Sequence, residues 1–365
     1  MKRLLTLLLF LAALAGGVFV HAQDATKKLL IGITMPTADH GWMGGGNYWA
    51  KKAMADWQKK DPNVKFLFRT AGDVTKQTAD IEDLVVQGVN GLVIFPFDSS
   101  ITPVVEKAYA KGIYVVVLDR GITKPAYDVY LSNDDEAYAR NSMEWICKDL
   151  GFKGNVVLIE GIPSVISDLR TKTAKDVAAK YSGIKVLDSQ PGMWNKEKAL
   201  AVMENYLQKY PHIDAVYTAD DDMLEGAMQA YKESGRKDIK VMFGGAASKG
   251  MVKRIMDGKD PLVRADATYP PDVVATAVSV AVVGMRGRVF EGFYQQKLPI
   301  RMILNSELVT KENAATWHVV NHPIKTRRDM SDYFSLYDSS PAQRLPPDTD
   351  RLAASLKGRD FEQAV

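Results

Sequence analysis

The sequence predicts an α/β fold in which two doubly wound parallel-sheet lobes are joined by a multi-strand hinge. Short runs rich in β-branched residues alternate with segments of helical periodicity along most of the 365 residues. Strand, helix and strand repeated this often is typical of parallel sheets that helices cover on both faces. A polar break follows the fourth strand–helix unit, and a second similar series then begins. Length and repetition together indicate two lobes.

The predicted strands and helices follow one another in order along the chain. Strand-forming runs occupy residues 29–34, 64–69, 91–95, 113–118, 155–160, 184–187, 215–218 and 240–243. After the first run, Trp49, Ala53 and Trp57 recur at helical spacing. Further helices are predicted around residues 81–85, 104–108, 139–150, 196–209 and 223–234. Each strand is therefore expected to lead into a helix that packs on its sheet.

Two breaks divide the chain between the lobes. The polar segment 130–135 predicts a crossing near residue 132, and the paired prolines of residues 268–272 predict the return. The expected first lobe is residues 23–132 plus 269–300, and the expected second lobe is residues 133–268 plus 301–317. Residues 318–365 form a C-terminal extension, expected to pack irregularly along one lobe or to remain a loose tail.

Residues 1–22 have the features of a secretion signal. They begin with two basic residues, continue with an apolar run over residues 4–14 and end in the small-x-small triplet Val20-His21-Ala22. The apolar run is short for a membrane-spanning helix. We therefore expect cleavage after Ala22 and a soluble mature chain in a bacterial periplasm.

Charge and cysteine content exclude several classes of function. The formal net charge is only +3, and two of the positive charges lie in the signal, so composition gives no case for binding nucleic acid or an anionic membrane. Cys147 is the only cysteine, which excludes an intrachain disulfide or a cysteine-based metal cluster.

An acid and a guanidinium stand side by side where the fourth predicted strand ends. Asp119 and Arg120 directly follow the apolar run 113–118. Ligands of open α/β sheets bind beyond the carboxyl ends of the strands, so this pair would lie at the mouth of the first sheet. The carboxylate can accept hydrogen bonds from a ligand's hydroxyl groups, and the guanidinium can donate them. The alternative is a capping Asp beside a surface Arg.

Five segments spread along the chain match the motifs of one family in the same order. They are residues 91–100 (GLVIFPFDSS), 117–120 (VLDR), 189–191 (SQP), 219–223 (ADDDM) and 308–313 (LVTKEN). Over roughly residues 28–313 the chain therefore resembles the periplasmic sugar-binding proteins of the ribose/galactose type, the soluble receptors of ABC importers. The resemblance implies a type I periplasmic binding protein fold, whose two lobes close around a ligand.

The resemblance also implies ligand contacts from both lobes. Trp194 stands where a second aromatic closes over the sugar, Asp220 where the family has an Asn, and Thr268 where the ribose-binding members have a Gln. Arg170 matches the second-lobe Arg once an inserted loop residue is allowed. The full set of predicted ligand-binding residues is His40, Trp42, Asp119, Arg120, Arg170, Trp194, Asp220 and Thr268.

These residue types suit a sugar on physical grounds. A sugar carries hydroxyl groups around its edge and C–H patches on its faces, so aromatic plates and planar charged partners complement it. Two acids balanced by two guanidiniums favour a neutral sugar or polyol over a sugar acid. Residues 244–246 (GGA) lack the carboxylate of the ribose-binding members, and this mismatch argues against ribose.

Several of these residues have purely structural explanations as well. Trp42 could hold the first helix against its sheet, and Trp194 could be the hydrophobic staple of the following helix. Arg170 could lie on a solvated helix face. Asp221 and Asp222 are expected to cap the N–H groups that begin the helix at 223–234.

The sequence favours a binding protein over an enzyme. It contains no G-x-S-x-G elbow, P-loop or H-E-x-x-H motif, and its histidines lack metal-site spacing. No catalytic residue, cofactor or metal is therefore expected. The glycine-rich residues 41–46 lack the G-x-G-x-x-G spacing of dinucleotide-binding loops, and the signal occupies the place of a repressor's helix-turn-helix.

The expected partners are a small sugar or polyol and the membrane permease of an ABC importer. The expected form is a monomer that binds no nucleic acid. A receptor that signals to a chemoreceptor or membrane kinase is the main alternative. A secreted glycosidase-like enzyme, with Asp119 and Asp220 as its carboxyl pair, is a weaker one.

Overall fold

The computed structural model describes residues 27–286, 300–304 and 306–315 and confirms the predicted α/β fold. Parallel strands form two main sheets in these ranges, and helices cover both faces of each. The predicted signal and the extension 318–365 lie outside the described residues. Among the residues described, no helix is both long and apolar enough to cross a membrane.

The first sheet has six parallel strands. In spatial order they are β11 (Ile300–Leu304), β5 (Val129–Asn133), β4 (Tyr114–Leu118), β3 (Gly91–Ile94), β1 (Leu29–Pro36) and β2 (Val64–Ala71). One face packs on α1 (Gly41–Lys60) and α9 (Val273–Met285), the other on α2 (Val74–Val86) and α3 (Thr102–Ala110). Successive side chains of β4 alternate between the two cores, with Val116 on one side and Val117 on the other.

The second sheet has four parallel strands. In spatial order they are β7 (Ile184–Pro191), β6 (Gly154–Glu160), β8 (Ala215–Thr218) and β9 (Val241–Phe243). Its helices are α4 (Asp135–Asp149), α5 (Val165–Ala178), α6 (Lys196–Lys209), α7 (Asp221–Ser234) and α8 (Lys249–Asp257). The helix predicted at 196–209 is α6, and Asn195 caps it by accepting a hydrogen bond from the amide of Lys198 at 2.9 Å.

The chain passes between the lobes at three crossings: after β5, between β10 (Ala265–Ala267) and α9, and between β11 and β12 (Leu308–Thr310). β10 and β12 pair antiparallel beside α4 and α8. A backbone hydrogen bond joins the second and third crossings. The N–H of Thr268 donates to the carbonyl of Glu307 at 2.8 Å. These two crossings are thus hydrogen-bonded to each other.

One predicted boundary needs correction. Residues 301–317 were expected in the second lobe, but β11 pairs in parallel with β5 and so belongs to the first sheet. Of the described residues after β11, β12 pairs with β10 and packs on the second lobe. The residues of β11 could form an edge strand of either sheet. Which lobe contains β11 therefore depends on the sheet edge beside which the chain lies in the folded protein.

Candidate functional site

Asp119 and Arg120 lie beyond the carboxyl end of β4, as predicted from the order of strands. The backbone of Asp119 is left-handed, with a φ of 61°, a conformation that Asp tolerates better than most residues. Its amide donates to the carbonyl of Leu131 at 2.9 Å, and its carbonyl accepts from the hydroxyl of Tyr130 at 2.5 Å. These two bonds fix the tight turn that carries the buried carboxyl group of Asp119.

The Asp119 carboxylate bonds a residue that was not predicted. The hydroxyl of Tyr269, in the crossing between β10 and α9, donates to Oδ2 at 2.8 Å. Burial raises the pKa of Asp119, while Arg120 and the Tyr269 hydroxyl oppose the shift. Arg120 donates to the carbonyl of Phe97 at 2.6 Å and lies 5.5 Å from the ring centre of Phe95. Both charged side chains are therefore held in fixed positions.

Arg170 is buried in the interlobe contact, the group of side chains around Tyr269 where the two lobes meet, and does not lie on a solvated helix face. Its side chain is only 4% exposed. Nε donates to Oδ1 of Asp135 at 2.7 Å, and one terminal nitrogen donates to the carbonyl of Ala219 at 3.0 Å. The guanidinium carbon is 4.2 Å from the ring centre of Tyr138 and 4.1 Å from that of Tyr269. The other terminal nitrogen has no partner among the described residues.

Asp135 neutralises Arg170 within the second lobe. Burial raises the pKa of Asp135 to about 6, although the attraction of Arg170 works in the opposite direction. Burial alone would lower the pKa of Arg170, but Asp135 and the surrounding tyrosines outweigh it and raise that pKa. Arg170 therefore stays charged, and near neutral pH the pair carries little net charge.

The two predicted aromatic plates lie on opposite sides of the interlobe contact. The indole nitrogen of Trp42 donates to the carbonyl of Tyr269 at 2.6 Å, and its ring meets Phe95 edge-on at 5.8 Å. Trp194 lies 5.5 Å from the guanidinium of Arg170 and has a positive φ of 54°. Its ring packs so closely on Gly161 that a Cβ there would fall 1.9 Å from it.

Three consecutive acids begin α7, and the structure corrects the prediction for two of them. Asp220 is the N-cap, because its carboxylate accepts from the amide of Met223 at 2.7 Å. Asp222 accepts from the amide of Gly41 in the first lobe at 2.8 Å. The capping role predicted for Asp221 and Asp222 was wrong: one side chain can reach the free N–H groups, and Asp220 occupies that place.

Burial of Asp220 raises its pKa to about 8. The amide of Met223 opposes the shift, and the neighbouring charges of Asp222 and Asp221 add to it. Because it keeps its proton near neutral pH, this carboxyl group can donate a hydrogen bond as well as accept one. In that respect it can replace the amide of an Asn.

The other two predicted residues lie at the edges of the contact. His40 occupies the N-cap position of α1, and its Nδ1 is 2.6 Å from the carboxylate of Asp39. The hydroxyl of Thr268 accepts from the amide of Glu307 at 2.8 Å, and its carbonyl accepts from Ser306 at 2.7 Å. Ligand contact by these two residues, as by the other six, stays a prediction.

Sequence reasoning missed four residues of this contact: Asn133, Asp135, Tyr138 and Tyr269. Both amide atoms of Asn133 are buried without a partner among the described residues, at the crossing that follows β5. Asp135 and Tyr138 sit in the first turn after that crossing, and Tyr269 sits beside the paired prolines. Their place at predicted crossings is the signal that could have identified them.

Comparisons with known proteins match most of the residues that the structure describes. A sequence model described as periplasmic binding protein domain matches residues 31–288. The chain is 29% identical over 256 residues to the ribose import binding protein of Bacillus subtilis, covering 70% of this chain and 81% of the relative. It is 31% identical over 257 residues to the D-allose-binding periplasmic protein of Escherichia coli, covering 67% and 81%.

A solved structure is similar over most of the same residues. It is an ABC transporter solute-binding protein from Mycobacterium smegmatis with bound glycerol. The identity is 28%, the TM-score is 0.70, and the match covers 79% of this chain and 96% of the other.

Proposed function

Because the chain belongs to the periplasmic binding protein family, we propose that it binds a neutral monosaccharide or polyol between its two lobes and delivers it to the permease of an ABC importer. The named relatives are an import binding protein and a periplasmic binding protein for sugars. Import is therefore preferred over signalling to a chemoreceptor or membrane kinase.

The observation that carries this proposal is the convergence of both lobes on Tyr269. Its hydroxyl bonds Asp119 of the first lobe, and its ring covers Arg170 of the second. Trp42 bonds the carbonyl of the same residue. A ligand that joins these groups makes contacts in the closed form that it lacks in an open one, and only such differential contacts drive closure.

The charge arrangement favours a ligand without net charge. Arg170 is paired with Asp135, and the charge of Asp119 is set against that of Arg120. Each guanidinium thus has an acid beside it before any ligand arrives. A sugar acid would find no unpaired cation here, whereas hydroxyl groups can use the donors and acceptors that remain.

Residues 1–22 direct export to the periplasm, and the mature chain works as a monomer without cofactor or metal. It binds its ligand without converting it, in keeping with relatives named as binding proteins.

A thermal-shift screen of residues 23–365 tests the binding proposal. Pentoses, hexoses and polyols are compared with sugar acids. A true ligand at 100 times its dissociation constant stabilises the folded state by about 2.7 kcal/mol, which raises the melting temperature by a few degrees. If every sugar and polyol is silent while a non-carbohydrate raises the melting temperature, the proposed ligand class is wrong.

Two variants of α5 show whether a hit binds in the interlobe site. Arg170→Ala should abolish the shift, because it removes the central donor and leaves Asp135 unpaired. Lys172→Ala changes a solvent-exposed residue two positions further, which pairs with Asp176. It should keep the full shift. Equal shifts in both variants would place the ligand elsewhere.

A further inference from the structure

Two buried carboxyl groups outside the ligand contacts described above face each other beside the second crossing. Asp221 comes from the first turn of α7 and Asp266 from the middle of β10. Their exposed fractions are 5% and 0%. The two groups lie within hydrogen-bonding reach of each other. Buried acids in contact call for an explanation, because an unpaired charge is costly away from water.

Both carboxyl groups of the pair accept from backbone amides, Asp266 from those of Ala267 and Ala247, and Asp221 accepts in addition from the hydroxyl of Ser248. The two carboxylate oxygens of Asp221 accept from the amides of Gly245 at 2.9 Å and Ser248 at 2.7 Å. Oδ1 of Asp266 accepts from the amide of Ala267 at 2.7 Å. The Oδ2 of Asp266 is buried, and no N–H or hydroxyl of the described residues donates to it.

A carboxyl oxygen facing a carboxylate is stabilised only when a proton lies between them. Two adjacent carboxylates in a buried site cannot both ionise without a large penalty, so such pairs retain one proton. Asp221, whose two carboxylate oxygens both accept hydrogen bonds from amides, is the natural acceptor. Asp266, whose Oδ2 lacks any other partner, is the natural donor.

We propose that Asp266 is a positioning residue that shares one proton with Asp221 and thereby fixes the loop of residues 244–248 against the second crossing. The loop has a strained backbone, since Ala246 and Ala247 have φ values of 96° and 49°. Strain of this kind persists only where surrounding contacts over-determine it.

The loop in turn supports the ligand contacts. A Cβ at Gly245 would fall 1.4 Å from the hydroxyl oxygen of Tyr138, so loop and ring are in close contact. Tyr138 covers one face of Arg170. Ala246 donates to the carbonyl of Ala267, just before the chain crosses to the first lobe. The shared proton therefore connects the crossing with the support of Arg170.

The charged and titratable groups facing the pair come from two helices. Asp220 and Asp222 flank Asp221 on α7, and the hydroxyl of Tyr138 approaches from α4. Burial raises the pKa of both acids of the pair, and the charge of Asp221 raises that of Asp266 further. The backbone amides of the loop oppose these shifts but do not outweigh burial, so the proton is retained near neutral pH.

The sign of the pH effect follows from where the proton is bound. Above about pH 5 the unfolded chain has released it, whereas the folded protein keeps it. The folded state is then stabilised at lower pH. Each added pH unit raises the unfolding equilibrium constant by up to tenfold on account of this proton, until the folded pair ionises.

The test compares the pH dependence of urea unfolding in wild type, Asp266→Asn and Asp176→Asn between pH 5 and 8. Asn at 266 supplies an N–H to Asp221 at every pH. In that variant the unfolding equilibrium constant should therefore rise with pH about tenfold less per pH unit than in wild type. Asp176→Asn changes an exposed acid and should keep the wild-type slope. A wild-type slope in Asp266→Asn overturns the proposal.

Two further measurements keep the proposal testable. If Asp266→Asn does not fold, the assigned ¹³C carboxyl shifts of Asp221 and Asp266 in wild type decide it: one proton retained between them at pH 7 is expected, and two ionised groups overturn it. For the loop, Asp266→Ala should exchange the amide hydrogens of Gly245 and Ser248 at least tenfold faster than Asp266→Asn. Equal exchange rates would refute the positioning role.

Discussion

Arg170 is held by three second-lobe partners, Asp135, Ala219 and Tyr138, and by Tyr269 of the crossing to the first lobe. It has an ion pair, a backbone hydrogen bond and two aromatic faces around one planar group. Contacts of a cation with aromatic faces contribute about 0.5 to 2 kcal/mol each, depending on burial. Because the pair with Asp135 is buried, removal of either partner leaves a charge without compensation.

The Arg170–Asp135 pair therefore predicts a strongly non-additive double-mutant cycle. Arg170→Ala and Asp135→Ala should each lower the free energy of unfolding by about 3 to 5 kcal/mol. The double variant should lose clearly less than the sum, since no stranded charge remains. Urea unfolding at pH 7 measures all three. Additive losses would mean that the two side chains do not interact.

Gly161 sets the position of Trp194 by having no side chain. Gly161→Ala would place a Cβ 1.9 Å from the indole ring, so we expect a loss of about 1 to 3 kcal/mol in stability and weaker ligand binding. Gly44→Ala is the matched control, because nothing lies within 4 Å of a Cβ there and the position is helical. It should stabilise by up to about 1 kcal/mol. Calorimetric melting and ligand titration distinguish the two.

At the scale of elements, the first turn of α7 connects three parts of the molecule. Asp220 caps the helix, Asp221 holds the loop that follows β9, and Asp222 bonds the start of α1. The amides at the start of α1 attract a carboxylate because the positive end of the helix dipole is there. Asp222 is thus a direct bond between the lobes in the closed form.

Asp222→Ala should weaken ligand binding by about two- to tenfold, the effect of losing one hydrogen bond of about 0.5 to 1.5 kcal/mol. Asp222→Asn keeps an oxygen acceptor for Gly41 and should retain most of the affinity. Titration calorimetry measures both, and small-angle scattering with ligand shows whether closure is less complete. Wild-type affinity in the Ala variant would mean that the bond does not contribute to closure.

At the scale of the whole molecule, the two lobes have separate apolar cores, and each contains buried acids. Each lobe has its own apolar core, so the crossings and the interlobe contact alone decide how the lobes sit together. Burial raises the pKa of Asp135 to about 6 and that of Asp220 to about 8. In contrast, burial is outweighed at Asp238, where bonds from Arg236 and a backbone amide lower the pKa to about 2.

These shifts predict maximum stability in mild acid. Acids with raised pKa values bind protons in the folded state that the unfolded chain has released, so stability falls as the pH rises from about 4 through about 8. Acids such as Asp238 act the other way, and their contribution is lost as the pH falls below about 4. Urea unfolding from pH 3 to 9 measures the profile.

Asp220→Asn is the control for that profile. Asn remains a good helix cap, and the variant should flatten the decline between pH 6 and 8. A decline of unchanged steepness would mean that Asp220 is ionised in the folded protein.

Much of this architecture follows from local patterns. The strands at 29–36, 91–94 and 215–218, the helix at 196–209 and the place of Asp119 all follow from apolar runs and strand order. Asp135, Tyr138 and Tyr269 could not be found in the same way, because their partners are distant in the chain. Tyr269 and Asp119 are 150 positions apart.

The sequence by itself determined the alternation of strands and helices, the division into two lobes and the family, because these depend on periodicity and on ordered motifs. The tertiary structure alone decided which sheet takes β11, which acid caps α7, and that Arg170 is buried between two tyrosines. Those outcomes depend on burial and on pairing between remote segments. A local pattern reports the type of a side chain and its spacing, but not the partner that reaches it once the lobes have closed.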